Sequence, residues 1–532
     1  MTASMSSGHP PTANAWGRDV GKTMIDGHPC LVYTQRPRQF GGLLTDLARW
    51  TERTCLVQGD RRLSYGELLG RASRLSADLQ GRTAAGDPVM IVGYNSIEWV
   101  VAFWAVAQAG RVAVLGNAWW SPDEVAHAMS VIQPSLVILD PAFEAAVGRE
   151  VATLPMSSYR ERNGHQQAAA PLPRDESDPA LVVFTSGTTG APKGVTLSSR
   201  AAVANIHNLL ARTRRLPTEI GDDHEGTVSL MGLPLFHIGG VQSMCSALLS
   251  GGRMVFLDGK FEARKALEAI ASERVRFWGA VPTMVSRVLA SPEFGAYDTS
   301  TVQSITMAGS MVPKDLVLKV RDHFPAAAGR VGTVYGLTEA GGIVTAGSGD
   351  DLARRPGTVG RPMPVAEVWI ADADAQGVGE VIVRSPAVMT GYWGEAECAE
   401  IDADGWLRTG DLGRLDDEGY LYITGRIKDI IIRAGENIAA AHVEAALAAH
   451  PAVSEVAVLG LPNADVGEEV AAVVVLRHGE TATEADLAAF AAGRLARFAV
   501  PSRWWIRAAG LPVNSTGKVV KGDLIRYWKS DS

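Results

Sequence analysis

LVVFTSGTTGAPKGV, residues 181–195, joins an apolar β-type run to six consecutive Gly, Ser and Thr residues, Thr185–Gly190, with Lys193 close behind. A buried strand opening into such a loop has one clear physical use. Glycines let successive backbone N–H groups converge on an anion, hydroxyls add donors, and the lysine supplies charge. The segment therefore reads as a cradle for a polyphosphate. It is not the GxxxxGK[ST] loop, because Ala191 and Pro192 separate Gly190 from the lysine.

Outward from this loop, apolar strands alternate with helical stretches. VMIVGY (89–94), RVAVLG (111–116) and LVILD (136–140) read as strands, 96–110 as a helix, and SPDEVAHAM as a helix with Ser121 as N-cap and Glu124 in the capping-box position. RMVFL, RVRFW and VQSITM continue the rhythm between 200 and 340. Apolar strands spaced by helices predict parallel sheet in a layered α/β architecture. Residues 1–35 carry no periodicity and read as an arm or lid, and 149–180 as a loop. Residues 358–427 are richer in β-type runs and Gly turns, a small subdomain on a large domain covering 36–427. From 428 to 532 helix and strand patterns restart as a separate small α/β domain.

The chain has 532 residues, enough for about three or four core-forming units. With 46% hydrophobic residues, 20% charged residues and a net charge of −8, it has no long basic run to bind a phosphate backbone, which sets nucleic acid aside. Cys30, Cys55, Cys245 and Cys398 show no metal or disulfide spacing. The polar N-terminus lacks a secretory h-region, and IEWVVAFWAVAQAG (97–110) is too short to span a bilayer and carries Glu98. A cytoplasmic, soluble protein is the expectation.

Four further motifs follow the loop in order: YGLTE at 335–339, TGD at 409–411, GRIKDIIIRAGENI at 425–438 and PVNSTGK at 512–518. Alone, YGLTE reads as a turn after a strand, TGD as a common turn, and Lys518 as a surface lysine. In this order and spacing the chain resembles the acyl-adenylate-forming superfamily, which includes acyl-CoA synthetases, peptide-synthetase adenylation domains and luciferases.

The resemblance implies roles for individual residues. Thr185, Ser186, Gly187, Thr188, Thr189, Gly190 and Lys193 take the ATP phosphates. Tyr335 and Gly336 meet the adenine, Thr338 the α-phosphate, and Glu339 with Thr185 holds Mg2+. Asp411 binds the ribose hydroxyls, and Arg426 helps hold ribose and phosphate. MAGSM (307–311) places Gly309 and Ser310 beside the adenine and acyl sites. Lys518 bridges the acyl carboxylate and phosphate, where adenylation needs positive charge. Lys428 is the matching hinge, about which the C-terminal domain rotates between two half-reactions.

Ala434 and Gly435 would line a CoA tunnel, where the family commonly has two glycines. PLFHIGG (234–240) assigns His237 to the carboxylate end of the acyl pocket, and FWGAVPTM (277–284) assigns Trp278 to its wall. Apolar flanks point to an apolar acid, medium-chain fatty or aryl/cinnamoyl in type. The implied reaction is acid plus ATP to acyl-AMP, then transfer to CoA. Alternatives keep adenylation with another acceptor (a carrier protein, an amine, or nitrite activated for diazotisation) or make the chain a silent binding protein. The expected partners are the acid, ATP and CoA, with a homodimer allowed.

Overall fold

The computed structural model describes residues 14–148, 151–160, 172, 174–186, 192–309, 312–395, 398–434, 436–463, 465–513 and 519–530. The chain divides into two compact units, Met1–Glu367 with Val383–Leu407, and Val368–Ile382 with Arg408–Ser532. Residues 408–427, assigned from sequence to the larger domain, thus group with the C-terminal unit.

Among the described residues, two large sheets organise the first unit. A seven-stranded sheet runs Gly391–Tyr392, Pro192–Ser198, Pro179–Ser186, Val112–Gly116, Pro88–Val92, Leu136–Leu139 and Thr153–Pro155. Its last five strands pair in parallel, whereas Pro192–Ser198 and Gly391–Tyr392 add antiparallel strands at one edge. A nine-stranded sheet runs Arg361–Pro362, Gly342–Ser348, Val331–Leu337, Ser304–Met307, Phe277–Ala280, Val228–Met231, Arg253–Phe256, Thr54–Gln58 and Arg61–Ser64. It too is parallel at its centre and antiparallel at its edges.

The apolar segment near residue 100 forms the helix Ile97–Gln108, buried along its whole length. Glu98 is tolerated there because Arg61 and Arg160 pair with it. Ser121 and Glu124 form the expected reciprocal capping box. Among the described residues no helix is long and apolar enough to cross a membrane.

Three sequence readings change. RVRFW begins its strand late, at Phe277, because Arg274 closes the preceding helix in the left-handed region (φ +54°). Within the supposed loop 149–180, Thr153–Pro155 is an edge strand. The unpatterned N-terminal arm contains a hairpin, Val20–Ile25 with Val20 opposite Tyr33 in His28–Tyr33.

That hairpin is fastened by aromatic stacking. The Tyr33 ring lies 3.8 Å from that of His207 at 7°, Trp16 meets the same imidazole edge-on, and Tyr33 donates to Asn208 Oδ1. His207 is fully buried and donates from Nε2 to the Gly17 carbonyl at 2.7 Å.

The second unit has a four-stranded sheet, Glu367–Ala371, Gly379–Arg384, Leu407–Leu415, Leu421–Arg426. It also has a five-stranded one built on Glu436–Ala439, Ile430–Arg433, Gly467–Leu476 and Val453–Asn463, with Arg503–Arg507 paired to Gly467–Leu476. Helices Ala440–Ala448 and Glu484–Ala492 cover one face of the latter through Val443, Leu447, Leu487 and Ala491.

Burial holds the His207 imidazole pKa down to about 4, against an ordinary 6.5. Below pH 6.5 the unfolded chain binds a proton that the folded chain refuses, so stability falls as pH drops from 6.5 through about 4. The loss reaches about 3 kcal/mol at its fullest. Urea unfolding across this window, followed by tryptophan fluorescence, is expected to show a shallower acid slope in His207→Gln than in the parent. Equal slopes would assign the acid sensitivity to other groups.

Candidate active site

The strands on either side of the loop read from sequence as a phosphate cradle, Pro179–Ser186 and Pro192–Ser198, pair antiparallel. Leu181–Phe184 is buried between parallel and antiparallel neighbours, and the strand continues to Ser186. Pro192 pairs with Ser186 and Lys193 with Thr185. Directly paired residues project to one face, so Thr185 and Lys193 share it. Phe184, on the opposite face, packs edge-on against Trp120 at 4.7 Å. The Lys193 ammonium lies 3.1 Å from Glu395 Oε1 and 4.3 Å from the centroid of Tyr392. Gly187, Thr188, Thr189 and Gly190 lie outside the described residues, as does the Ser186 side chain.

A tight turn follows Val331–Leu337. Thr338–Ala340 forms one 3-10 turn, closed by the Gly341 N–H on the Thr338 carbonyl at 2.9 Å with Gly341 at φ +71°. The strand register shifts between Tyr335 and Gly336. A Cβ on Gly336 would lie 2.0 Å from the Gly342 carbonyl oxygen, so only glycine admits this approach of the two strands. Buried Gln242, on the helix Ile238–Leu249, donates to the Gly341 carbonyl at 2.8 Å.

Residues 389–393 join this turn to the strand Pro192–Ser198. The Met389 N–H donates to the Glu339 carbonyl at 2.8 Å, Thr390 N–H to Thr196 at 3.0 Å, and Trp393 N–H to Gly194 at 2.7 Å. The hairpin carrying Thr185 and Lys193 is thereby fixed against the turn carrying Thr338 and Glu339. Tyr392 senses both: burial, with Glu339 next, pushes its phenol pKa above the ordinary value.

On the acyl side, His237 is the residue before the helix Ile238–Leu249, its ring 4.7 Å from Phe236, which meets Trp119 edge-on at 5.0 Å. Asn95 braces this segment, donating to the Leu233 carbonyl at 2.9 Å and accepting from Leu235 N–H at 2.8 Å. Trp278 is fully buried in the core with Leu267 and Ile270 of the helix Ala263–Glu273 and Val285 and Val288 of the helix Pro282–Leu289. Strand alternation turns Phe277 and Gly279 to the other face. There a Cβ on Gly279 would lie 3.8 Å from Leu233 Cδ1, and one on Gly239 3.9 Å from the same atom. Leu233 and Phe277 thus meet on that face, while a Cβ on Gly232 would lie 3.3 Å from Trp278 Nε1. Gly309 is exposed at φ +90° beyond Ser304–Met307, and Ser310 lies outside the described residues.

In the second unit, Asp411 and Arg426 are cross-strand partners, and Arg426 Nε donates to the Asp411 carboxylate at 2.6 Å. Asp411 is nearly buried while its arginine is half exposed. The Thr409 hydroxyl accepts from Asp411 N–H and donates to the Val381 carbonyl, so TGD, read from sequence as a turn, lies within the strand Leu407–Leu415. Lys428 is exposed in the turn Ile427–Asp429. Ala434 follows Ile430–Arg433 at φ +50°, its N–H on the Val466 carbonyl at 2.7 Å. Gly435 and Lys518 lie outside the described residues.

A profile of AMP-binding enzymes matches residues 44–393, and one of the AMP-binding enzyme C-terminal domain matches 442–518. The chain belongs to the AMP-binding enzyme family. It is an adenylate-forming, AMP-forming ligase. The indoleacetate–CoA ligase of Aromatoleum aromaticum is 32% identical, over 90% of this chain and 97% of that one. ATP-bound MatB from Rhodopseudomonas palustris has a TM-score of 0.81 at 29% identity, covering 92% of this chain and 99% of its own. The amide bond synthetase McbA from Marinactinospora thermotolerans has a TM-score of 0.79 at 27% identity, covering 92% and 99%.

Within this AMP-binding enzyme, the donor set suits a metal carried by nucleotide. Among the described residues no group of three or more His, Cys, Asp or Glu could cage an ion. Mg2+ in phosphate sites is held by one or two carboxylates plus substrate oxygens, a role the resemblance gives to Glu339 with Thr185. The sequence did not single out Asn95, Gln242, Tyr392 or Glu395. These residues act through backbone carbonyls or through Lys193, so no motif marks them. Gly336→Ala is expected to destabilise the enzyme by about 2–4 kcal/mol and to lower ATP–pyrophosphate exchange. A thermal melt at the parent temperature with full exchange would show that the two strands can separate at no cost.

Proposed function

We propose that this AMP-binding enzyme activates an apolar carboxylic acid, medium-chain fatty or aryl in type, and passes the acyl group to CoA. The carrying observation is the fixed pairing of the Lys193 hairpin with the Glu339 turn through residues 389–393. This tie between the strand bearing Lys193 and the turn bearing Glu339 supports a shared site for a polyphosphate with its counter-ion. In the first step a carboxylate oxygen bonds to the α-phosphorus of ATP, the α–β bridging bond breaks, and pyrophosphate leaves. In the second, the CoA sulfur bonds to the acyl carbon, the thiol proton passes to solvent, and AMP leaves.

Each group has a task in this scheme. Lys193 neutralises the outer phosphates, Thr338 hydrogen-bonds the α-phosphate, and Mg2+ on Glu339 would offset charge on the phosphate oxygens. Lys518 supplies positive charge between carboxylate and phosphate in the first step. The aromatic and aliphatic groups around His237 (Phe236, Trp119, Leu233 and Phe277) support an acid without a charged tail. Likeness to an indoleacetate–CoA ligase supports the aryl branch.

One observation favours a second acceptor. Ala434 occupies a left-handed conformation that glycine adopts freely, and its methyl stands where the resemblance runs the CoA tunnel. The neighbouring fold of an amide bond synthetase supports an amine in that role. The test offers a panel of fatty and aryl acids with ATP, first by pyrophosphate exchange and then with CoA or with amines. Exchange with apolar acids and a thioester product is expected. Exchange followed by amide alone would overturn the CoA assignment, and no exchange with any acid would overturn activation itself.

A further inference from the structure

We infer that Glu395 is a positioning residue for Lys193, a carboxylate that holds the ammonium in place until nucleotide phosphate displaces it. The inference rests on the reading that Lys193 meets the phosphates of ATP, and extends it to a residue that no motif marks.

The local fold brings the two charges together. Gly391–Tyr392 is added to the outer edge of the hairpin, with Tyr392 opposite Val195 and Gly391 opposite Thr196. Lys193 and Val195 are two residues apart on one strand and so share a face, on which Tyr392 also lies. The chain then turns back sharply. Glu395 N–H donates to the Tyr392 carbonyl at 3.1 Å, and Gly394 takes φ +82°, a left-handed value that favours glycine. This turn brings Glu395 Oε1 to 3.1 Å from Lys193 Nζ, while the ammonium sits 4.3 Å from the Tyr392 ring centroid. The lysine is therefore held between a carboxylate and an aromatic face, beside the loop it serves.

The exposures decide what this arrangement does. The Lys193 side chain is 31% exposed and that of Glu395 43%. Water reaches both, so the ion pair is weak and its opening costs little. A polyphosphate carries several negative charges on closely spaced oxygens and outbids a single carboxylate for the same ammonium. Tyr392 has no charge to lose, and its ring keeps the lysine stem in place through the exchange. Glu395 thus keeps Lys193 extended over the hairpin in the empty enzyme, at the cost of competing with ATP. Removing its charge tightens nucleotide binding, and the gain needs Lys193.

The test is equilibrium binding of MgATP without any acid, by titration calorimetry, to the full-length parent, Glu395→Gln, Lys193→Met and the double variant. The parent is expected to bind ATP and Lys193→Met to bind it more weakly. Glu395→Gln is expected to bind ATP about two- to fivefold more tightly than the parent. In the Lys193→Met background the same change should leave Kd unaltered, and adenosine should bind the parent and Glu395→Gln equally. Equal tightening in both backgrounds would overturn the inference, because Glu395 would then act as a distant charge. Weaker binding by Glu395→Gln would also overturn it, by making the carboxylate a partner of the bound state. A parent that binds no ATP would overturn the underlying phosphate reading, an outcome distinct from the other two.

Discussion

Three backbone hydrogen bonds from residues 389–393, to Glu339, Thr196 and Gly194, carry the geometry of the first unit's site. They are made by main-chain N–H groups, so their lengths and directions are set by the fold and not by side-chain rotamers. Each also satisfies a donor that burial would otherwise leave costly. Without them, the hairpin bearing Lys193 and the turn bearing Glu339 would belong to two separate sheets with independent edges. With them, the segments bearing Lys193 and Glu339, 146 positions apart in the chain, are tied to one connecting stretch.

The two sheets share a logic that explains where the chemistry lies. Their central strands are parallel and largely buried on both faces, which suits apolar runs such as LVVF and VAVL. Both gain antiparallel strands at an edge, and antiparallel neighbours can be joined by tight turns. Thr338–Ala340 is such a turn, between the antiparallel strands Val331–Leu337 and Gly342–Ser348. Lys193 and Glu339 thus sit at the antiparallel additions, beside a parallel sheet that supports them.

Much of this was legible in the sequence where local chemistry is strong. The β-type runs, the Ser121 capping box and the buried helix at 97–108 follow from period and capping alone. Motif order supplied the candidate residues, of which Asp411 and Arg426 are cross-strand partners. What was hidden depends on tertiary pairing. The N-terminal hairpin has no apolar alternation because its stability comes from Tyr33 and Trp16 on His207, far along the chain. Trp278 has the bulk of a pocket wall, and strand alternation buries it in the core cluster while Phe277 and Gly279 take the other face of the sheet. Glu395 became visible only when the left-handed Gly394 placed it on Lys193.

The central claim is that the Lys193 hairpin and the Glu339 turn form one polyphosphate site. A crystal structure of the enzyme with Mg2+ and a non-hydrolysable ATP analogue tests it most directly. The account predicts outer-phosphate oxygens about 2.7–3.0 Å from Lys193 Nζ, with the metal ligated by the Glu339 carboxylate. A nucleotide bound with its phosphates away from both groups, and Lys193 still resting on Glu395, would contradict it.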